Sequence, residues 1–235
     1  MVDPTVIAVD WSGAKETGPR SGIWLAVVQN GELVRTEALA SRARAVAFVQ
    51  ACPSPVIAGF DFSFGVPAWF ARKHGCTTIT DVWSLAERDG ETWLASPPMP
   101  PFWREHCEVP VEQRLRRCEE RLRPAKSIFQ LVGNGQVGAG SVRGMPHLAR
   151  LRGAGFAVWP FDHAIDRTAM EIYPSLMRKL AAHHDVGPFA TEHERDAVVS
   201  ARVMWDHREA IAALGAATDP TTLIEGDVWL PSPSL

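Results

Sequence analysis

Two short apolar segments that each end in an aspartate constrain the fold of this chain most strongly. Residues 6–9 precede Asp10, and residues 56–60 precede Asp61; a turn at Gly13 follows the first of them. Runs of β-branched and small apolar residues bounded by turn residues are typical of buried strands, and open α/β sheets bind ligands at the carboxyl ends of their strands. The two aspartates are therefore expected to share one crevice.

The remaining pattern predicts a single α/β domain over residues 1–235, with a parallel or mixed sheet between layers of helices. Asn30-Gly31 lies between two apolar runs, which predicts a β-hairpin. Proline and glycine interrupt the pattern from about residue 63 to 151, so this stretch is interpreted as a partly helical insertion. The predicted strands are 6–10, 22–29, 33–39, one ending at Asp61, 156–161 and 170–173; the predicted helices are 42–51, 111–122, 175–183 and 194–214.

Composition excludes several classes of protein. The chain of 235 residues is 46% hydrophobic and 22% charged, as expected of an ordinary globular protein and not of a disordered or fibrous one. A net charge of -3 argues against a generally basic surface for nucleic acid. Without a leader-like start or an apolar run of about 20 residues, a cytoplasmic protein with no membrane segment is expected.

The cysteines give no sign of a disulfide framework or a zinc site. Four cysteines without CxxC spacing predict reduced thiols. His74 with Cys76, and His106 with Cys107, fit no established zinc spacing.

Four acidic residues stand near the ends of predicted elements: Asp10, Asp61, Glu171 and Asp196. Clustered carboxylates repel one another, and a divalent cation relieves that repulsion. Oxygen ligands favour Mg²⁺ or Mn²⁺. For Glu171 a surface charge, and for Asp196 a role at the helix dipole, are the alternatives. His193 and Glu194 are substitutes for Asp196.

The motifs that carry these acids resemble the DUF429 family of predicted ribonuclease H-like nucleases. The motifs are Asp10-Trp11-Ser12-Gly13, Gly59-Phe60-Asp61 with Pro67, Glu171-Ile172-Tyr173-Pro174, Asp196-Ala197 and the stretch 133–146. The resemblance implies a ribonuclease H-like fold, with a mixed five-stranded sheet whose first three strands are antiparallel. It also implies that Asp10, Asp61 and Asp196 are metal ligands from the first strand, the fourth strand and the last helix, and that Glu171 occupies a further acidic position of the family.

Residues that could contact a phosphate lie between these motifs. The stretch 133–138 formally satisfies GxGxxG, but residues 141–146 are expected to prevent a helix there, so a loop near the site is favoured over a dinucleotide fingerprint. Residues 111–152 are locally basic, which fits either phosphodiester binding or a solvated helix face. Arg143 is the favoured phosphate contact, and Ser12 and Lys15 flank the crevice.

The function predicted from these observations is divalent-metal-dependent phosphodiester hydrolysis of nucleic acid, with the four acids as catalytic and metal-binding residues and Asp10 as the ligand shared between two ions. One alternative is an actin-like or sugar-kinase-like ATP phosphotransferase. The other is a non-catalytic member of the fold that binds nucleic acid or protein.

Overall fold

The structure is a computed structural model that describes residues 2–14, 22–104, 110, 113–122, 125–132 and 136–231. Lys15, His106, Cys107 and residues 133–135 lie outside these ranges. In the described part of the chain, Cys52, Cys76 and Cys118 are free cysteines. None of the described helices combines the length and the apolar character that crossing a membrane requires.

The described residues form seven strands and nine α-helices. The strands are β1 (Thr5–Asp10), β2 (Ile23–Gln29), β3 (Glu32–Leu39), β4 (Val56–Phe60), β5 (Ala157–Trp159), β6 (Arg167–Ile172) and β7 (Val228–Trp229). The helices are α1 (Arg42–Ala51), α2 (Ala68–Lys73), α3 (Ile79–Ala95), α4 (Arg117–Arg121), α5 (Gly138–Gly153), α6 (Pro174–Leu180), α7 (Glu192–Asp206), α8 (Arg208–Ala212) and α9 (Thr222–Glu225), with a 3₁₀ turn at Ala182–His184.

All seven strands join one mixed sheet. Its order is β3-β2-β1-β4-β6-β5, and β7 also pairs with β6. The first three strands are antiparallel as expected, whereas β4 is parallel to β1 and to β6, and β6 is parallel to β5 and β7. The expected count of five strands is wrong, because the short strands β5 and β7 both extend the sheet along β6.

Strand alternation divides the core between the two faces of the sheet. Val9 and Phe60 point to the face where residues of α1, α3 and α5 pack. Ala8 and Ile57 point to the opposite face, where α7 packs. The interrupted stretch 63–151 thus contributes helices to the same apolar core as the sheet.

Two long helices in that stretch were not predicted. Helix α3 begins with a capping box formed by Thr78 and Asp81. Helix α5 runs through Pro146, so the predicted interruption at residues 141–146 is wrong. Its glycines permit a close approach that favours the helix: a Cβ on Gly144 would lie 2.6 Å from the Phe62 ring. Tertiary packing here overrides the weak helix propensity of glycine and proline.

Two other predicted helices differ in extent. The predicted helix 111–122 is reduced, in the described residues, to α4 (Arg117–Arg121). The predicted helix 194–214 is divided into α7 and α8 around His207.

Candidate active site

Asp10 and Asp61 lie side by side at the carboxyl edge of the sheet. Val9 pairs with Phe60 in the parallel register of β1 and β4, so the two aspartates follow at equivalent positions. The Asp61 amide donates to the Val9 carbonyl oxygen (3.1 Å). Asp10 is buried and Asp61 is partly exposed. The predicted juxtaposition of these two strand ends is present in the structure.

Asp10 is paired with a histidine from α7. His193 Nδ1 lies 2.6 Å from Asp10 Oδ2, and the imidazole is more than half exposed. Burial raises the pKa of Asp10, although the hydrogen bond and the charge of His193 oppose that effect. The same hydrogen bond raises the pKa of His193. The buried carboxyl group of Asp10 therefore has one imidazole nitrogen within hydrogen-bond distance.

Asp196, one turn further along α7, reaches the same region. Arg178 Nη1 of α6 lies 2.8 Å from Asp196 Oδ1, but this buried oxygen has no hydrogen bond of good geometry. Burial raises the pKa of Asp196 to about 6, with a further contribution from the charge of Asp10. The negative charge of the Asp196 carboxylate is thus only partly compensated by Arg178.

Glu194, the other acid considered at this helix, is engaged elsewhere. Its carboxylate accepts hydrogen bonds from the Thr36 hydroxyl (3.0 Å) and the Ala190 amide (2.7 Å). These contacts fix the start of α7, and they hold the Glu194 carboxylate against Thr36 and Ala190.

Asp61 shows that the carboxylates act on one another. Burial raises the pKa of Asp61 well above its usual value, and the charges of Asp10, Asp196 and Glu171 raise it further. Arg178 opposes these effects without cancelling them. Such a group of like charges in a low-dielectric setting is stabilised by protonation or by a cation.

Glu171 lies close to Asp61 but belongs to the other face of the sheet. It pairs in register with Phe60, whose side chain faces α3 and α5. Its buried carboxylate accepts two hydrogen bonds from the Arg116 guanidinium, and Oε2 accepts a third from the Phe64 amide (2.8 Å). Arg116 also binds Glu119. A buried ion-pair network therefore occupies Glu171, which is neither the surface charge considered above nor a free ligand.

The carboxylates of Asp10, Asp61 and Asp196 are suitable ligands for a hard cation, but their oxygen atoms lie too far apart to coordinate one ion together. Three oxygen donors are the ligand type of Mg²⁺ and Mn²⁺. Among the described residues, three ligand atoms of His, Cys, Asp or Glu all lie within 4.8 Å of one another only at His183, His184 and Asp206. Simultaneous coordination by the three aspartates would therefore require a closer approach and displacement of His193 and Arg178.

The loop after β1 is held by two arginines. Arg42 donates to the Ser12 carbonyl oxygen (2.7 Å), and Arg143 donates to that of Gly13 (2.6 Å) and to Glu91. The Ser12 hydroxyl accepts from the Ala14 amide (3.1 Å).

Two of the residues predicted to contact phosphate, Ser12 and Arg143, instead form hydrogen bonds within the protein. Arg143 lies in α5 and not in a loop beside the glycines, and it positions the segment that follows Asp10. Lys15 falls outside the described residues.

Sequence reasoning missed the two arginines that compensate the acids. Arg178 lies seven residues after Glu171 and faces the acids only because α6 packs on α7. Arg116 belongs to a set of arginines in the basic stretch, and nothing in the sequence distinguishes it. His193 was considered only as a substitute ligand, whereas the structure places it as the partner of Asp10.

Comparison with protein-family models, with curated proteins and with solved structures gave no match for this chain.

Proposed function

We propose that this protein is a divalent-metal-dependent phosphodiester hydrolase of ribonuclease H-like fold, with nucleic acid as its substrate. The observation that carries the proposal is the concentration of Asp10, Asp61 and Asp196 at one edge of the sheet. Burial raises all three pKa values there, and the charges of neighbouring carboxylates raise those of Asp61 and Asp196 further. Perturbed carboxylates in such a cluster are typical of functional sites. The antiparallel start and parallel continuation of the sheet agree with the mixed sheet of that fold.

Asp10, Asp61 and Asp196 would hold Mg²⁺ or Mn²⁺. A bound ion would supply a water of lowered pKa and would neutralise charge on a phosphodiester. It would also relieve the repulsion that raises the pKa values of Asp61 and Asp196. His193, a partly exposed imidazole beside Asp10, would transfer a proton at the mouth of the site.

Arg42 and Arg143 act as positioning residues in this proposal. Both bind backbone carbonyl oxygens of the loop after Asp10, so they fix the course of the chain there. Glu171 serves a related purpose on the opposite face, because its pairing with Arg116 anchors the end of β6 next to Asp61.

The first test is a calorimetric Mn²⁺ titration of the wild type, Asp10→Asn and Asp61→Asn. Each variant keeps the shape of the side chain and removes one charge, so we expect Mn²⁺ binding to weaken by about tenfold or more. Asp89→Asn is the matched control, because Asp89 is a partly exposed acid of α3 paired with Arg88. That control should bind Mn²⁺ like the wild type.

The second test is cleavage of labelled single-stranded and duplex DNA and RNA with Mg²⁺, Mn²⁺ or EDTA. We expect cleavage that requires the metal and disappears in Asp10→Asn. Cleavage that persists in both aspartate variants, or an absence of cleavage with all substrates, would overturn the proposal. Stabilisation of the protein by ATP would instead favour the phosphotransferase, and nucleic-acid binding that ignores both metal and Asp10 would favour the non-catalytic alternative.

A further inference from the structure

A second group of potential ligands lies away from the carboxylates, where the 3₁₀ turn Ala182–His184 meets the last residue of α7. His184 Nε2 is 2.7 Å from Asp206 Oδ2, and the rings of His183 and His184 are 4.1 Å apart between centroids. One ligand atom from each of the three residues lies within 4.8 Å of the other two. We propose that His183, His184 and Asp206 bind one divalent transition-metal ion of the zinc class.

The spacing is close to what such an ion requires. Ligands about 2.0–2.1 Å from a tetrahedral ion are roughly 3.4 Å from one another. The His184–Asp206 pair already lies inside this separation. His183 is exposed, so rotation of its side chain can close the remaining distance without disturbing the core.

The donor set distinguishes this site from the carboxylate site. Two imidazole nitrogens and one carboxylate suit Zn²⁺, Co²⁺ or Ni²⁺, whereas Mg²⁺ prefers oxygen ligands alone.

The backbone around the site is held in place without a metal. Arg202 of α7 donates to the carbonyl oxygens of His184 (3.0 Å) and Val186 (2.9 Å). Asp206 lies one turn further along the same helix. The turn and the helix are thus already aligned, which lowers the cost of ordering the ligands on binding.

A bound ion would link α6 to α7 through this turn. Arg178 belongs to α6 and Asp196 to α7, and these residues contact each other at the carboxylate site. The ion would therefore restrain the two helices that carry this ion pair. The site itself depends on no assumption about the proposed hydrolase activity.

The test is calorimetric titration of the untagged chain with Zn²⁺ in excess Mg²⁺, together with the visible absorption of the Co²⁺-loaded protein. We expect one Zn²⁺ per chain and a tetrahedral Co²⁺ spectrum. Because each removes one of three protein ligands, His183→Ala and Asp206→Asn should weaken binding by about 100-fold. Both residues are exposed, so neither replacement removes a core contact.

Two controls separate this site from other sources of zinc affinity. His74→Ala removes an exposed histidine at the end of α2 and should leave zinc binding unchanged. Asp10→Asn should also leave it unchanged, even if it abolishes Mn²⁺ binding. Unaltered zinc affinity in His183→Ala and Asp206→Asn would overturn the proposal, as would loss of zinc binding in Asp10→Asn.

Discussion

Replacing Asp196 with asparagine should stabilise the metal-free protein at neutral pH. Burial and the charge of Asp10 raise the pKa of Asp196 from 3.8 to about 6. The folded state therefore binds a proton more tightly than the unfolded state does. Between about pH 4 and pH 6 the contribution of Asp196 to stability falls as pH rises, because the folded protein alone still holds that proton.

The structure sets the size of the effect. The difference between 3.8 and about 6 corresponds to roughly 3 kcal/mol, since one pKa unit is equivalent to 1.36 kcal/mol. The Asp196 side chain is 19% exposed, so solvent screening is limited. The opposing charge of Arg178 is already contained in this difference, and asparagine does not reproduce every contact of a protonated aspartate. We therefore expect Asp196→Asn to gain about 1–3 kcal/mol in free energy of unfolding above pH 7.

Urea unfolding in EDTA at several values between pH 4 and pH 8 measures this difference. The gain of the variant should be near zero at pH 4 and should grow until about pH 7. Asp185→Asn is the control, because its hydrogen bond with Arg195 lowers the pKa of Asp185 and its replacement should have the opposite sign. A gain that does not depend on pH, or a loss of stability at pH 7, would refute the reasoning.

Two further predictions concern packing next to the site. Arg116→Met leaves the buried Glu171 carboxylate without its guanidinium partner, so we expect a loss of about 3–5 kcal/mol in urea unfolding; a loss below about 1 kcal/mol would contradict the assigned network. Gly144→Ala places a methyl group 2.6 Å from the Phe62 ring, so a loss of about 1–3 kcal/mol is expected in thermal unfolding. Gly153→Ala in the same helix meets open space and should be neutral or stabilising, and equal effects of the two alanines would argue against the close packing.

The parts of the sheet that were predicted correctly are those whose structure depends on neighbouring residues in the sequence. Asn30 and Gly31 both have positive φ (52° and 81°) between β2 and β3, as a tight hairpin requires. The runs that end at Asp10 and Asp61 are buried strands, because continuous apolar segments are stable only between two covering layers. Their neighbouring carboxylates follow from a parallel register.

The helices of the 63–151 stretch were misjudged because their signals were weak or misleading. Thr78 and Asp81 form a capping box, and this spacing of a threonine and an acid in the sequence is a signal for the start of α3. In α5, glycine and proline argue locally against a helix, yet the glycines allow its backbone to approach the segments that follow β1 and β4. The gain from that packing is a property of the whole fold and has no local pattern.

By itself, the sequence determined that an α/β sheet presents Asp10 and Asp61 at one edge, because burial and turn chemistry are encoded over a few neighbouring residues. Only the tertiary structure decided the partners of the acids. Glu171 lies on the opposite face with Arg116, and Asp196 faces Arg178, because register and helix packing join residues far apart in the chain. Electrostatic compensation depends on distances of a few ångströms, and those distances are set by the assembled fold and not by spacing along the sequence.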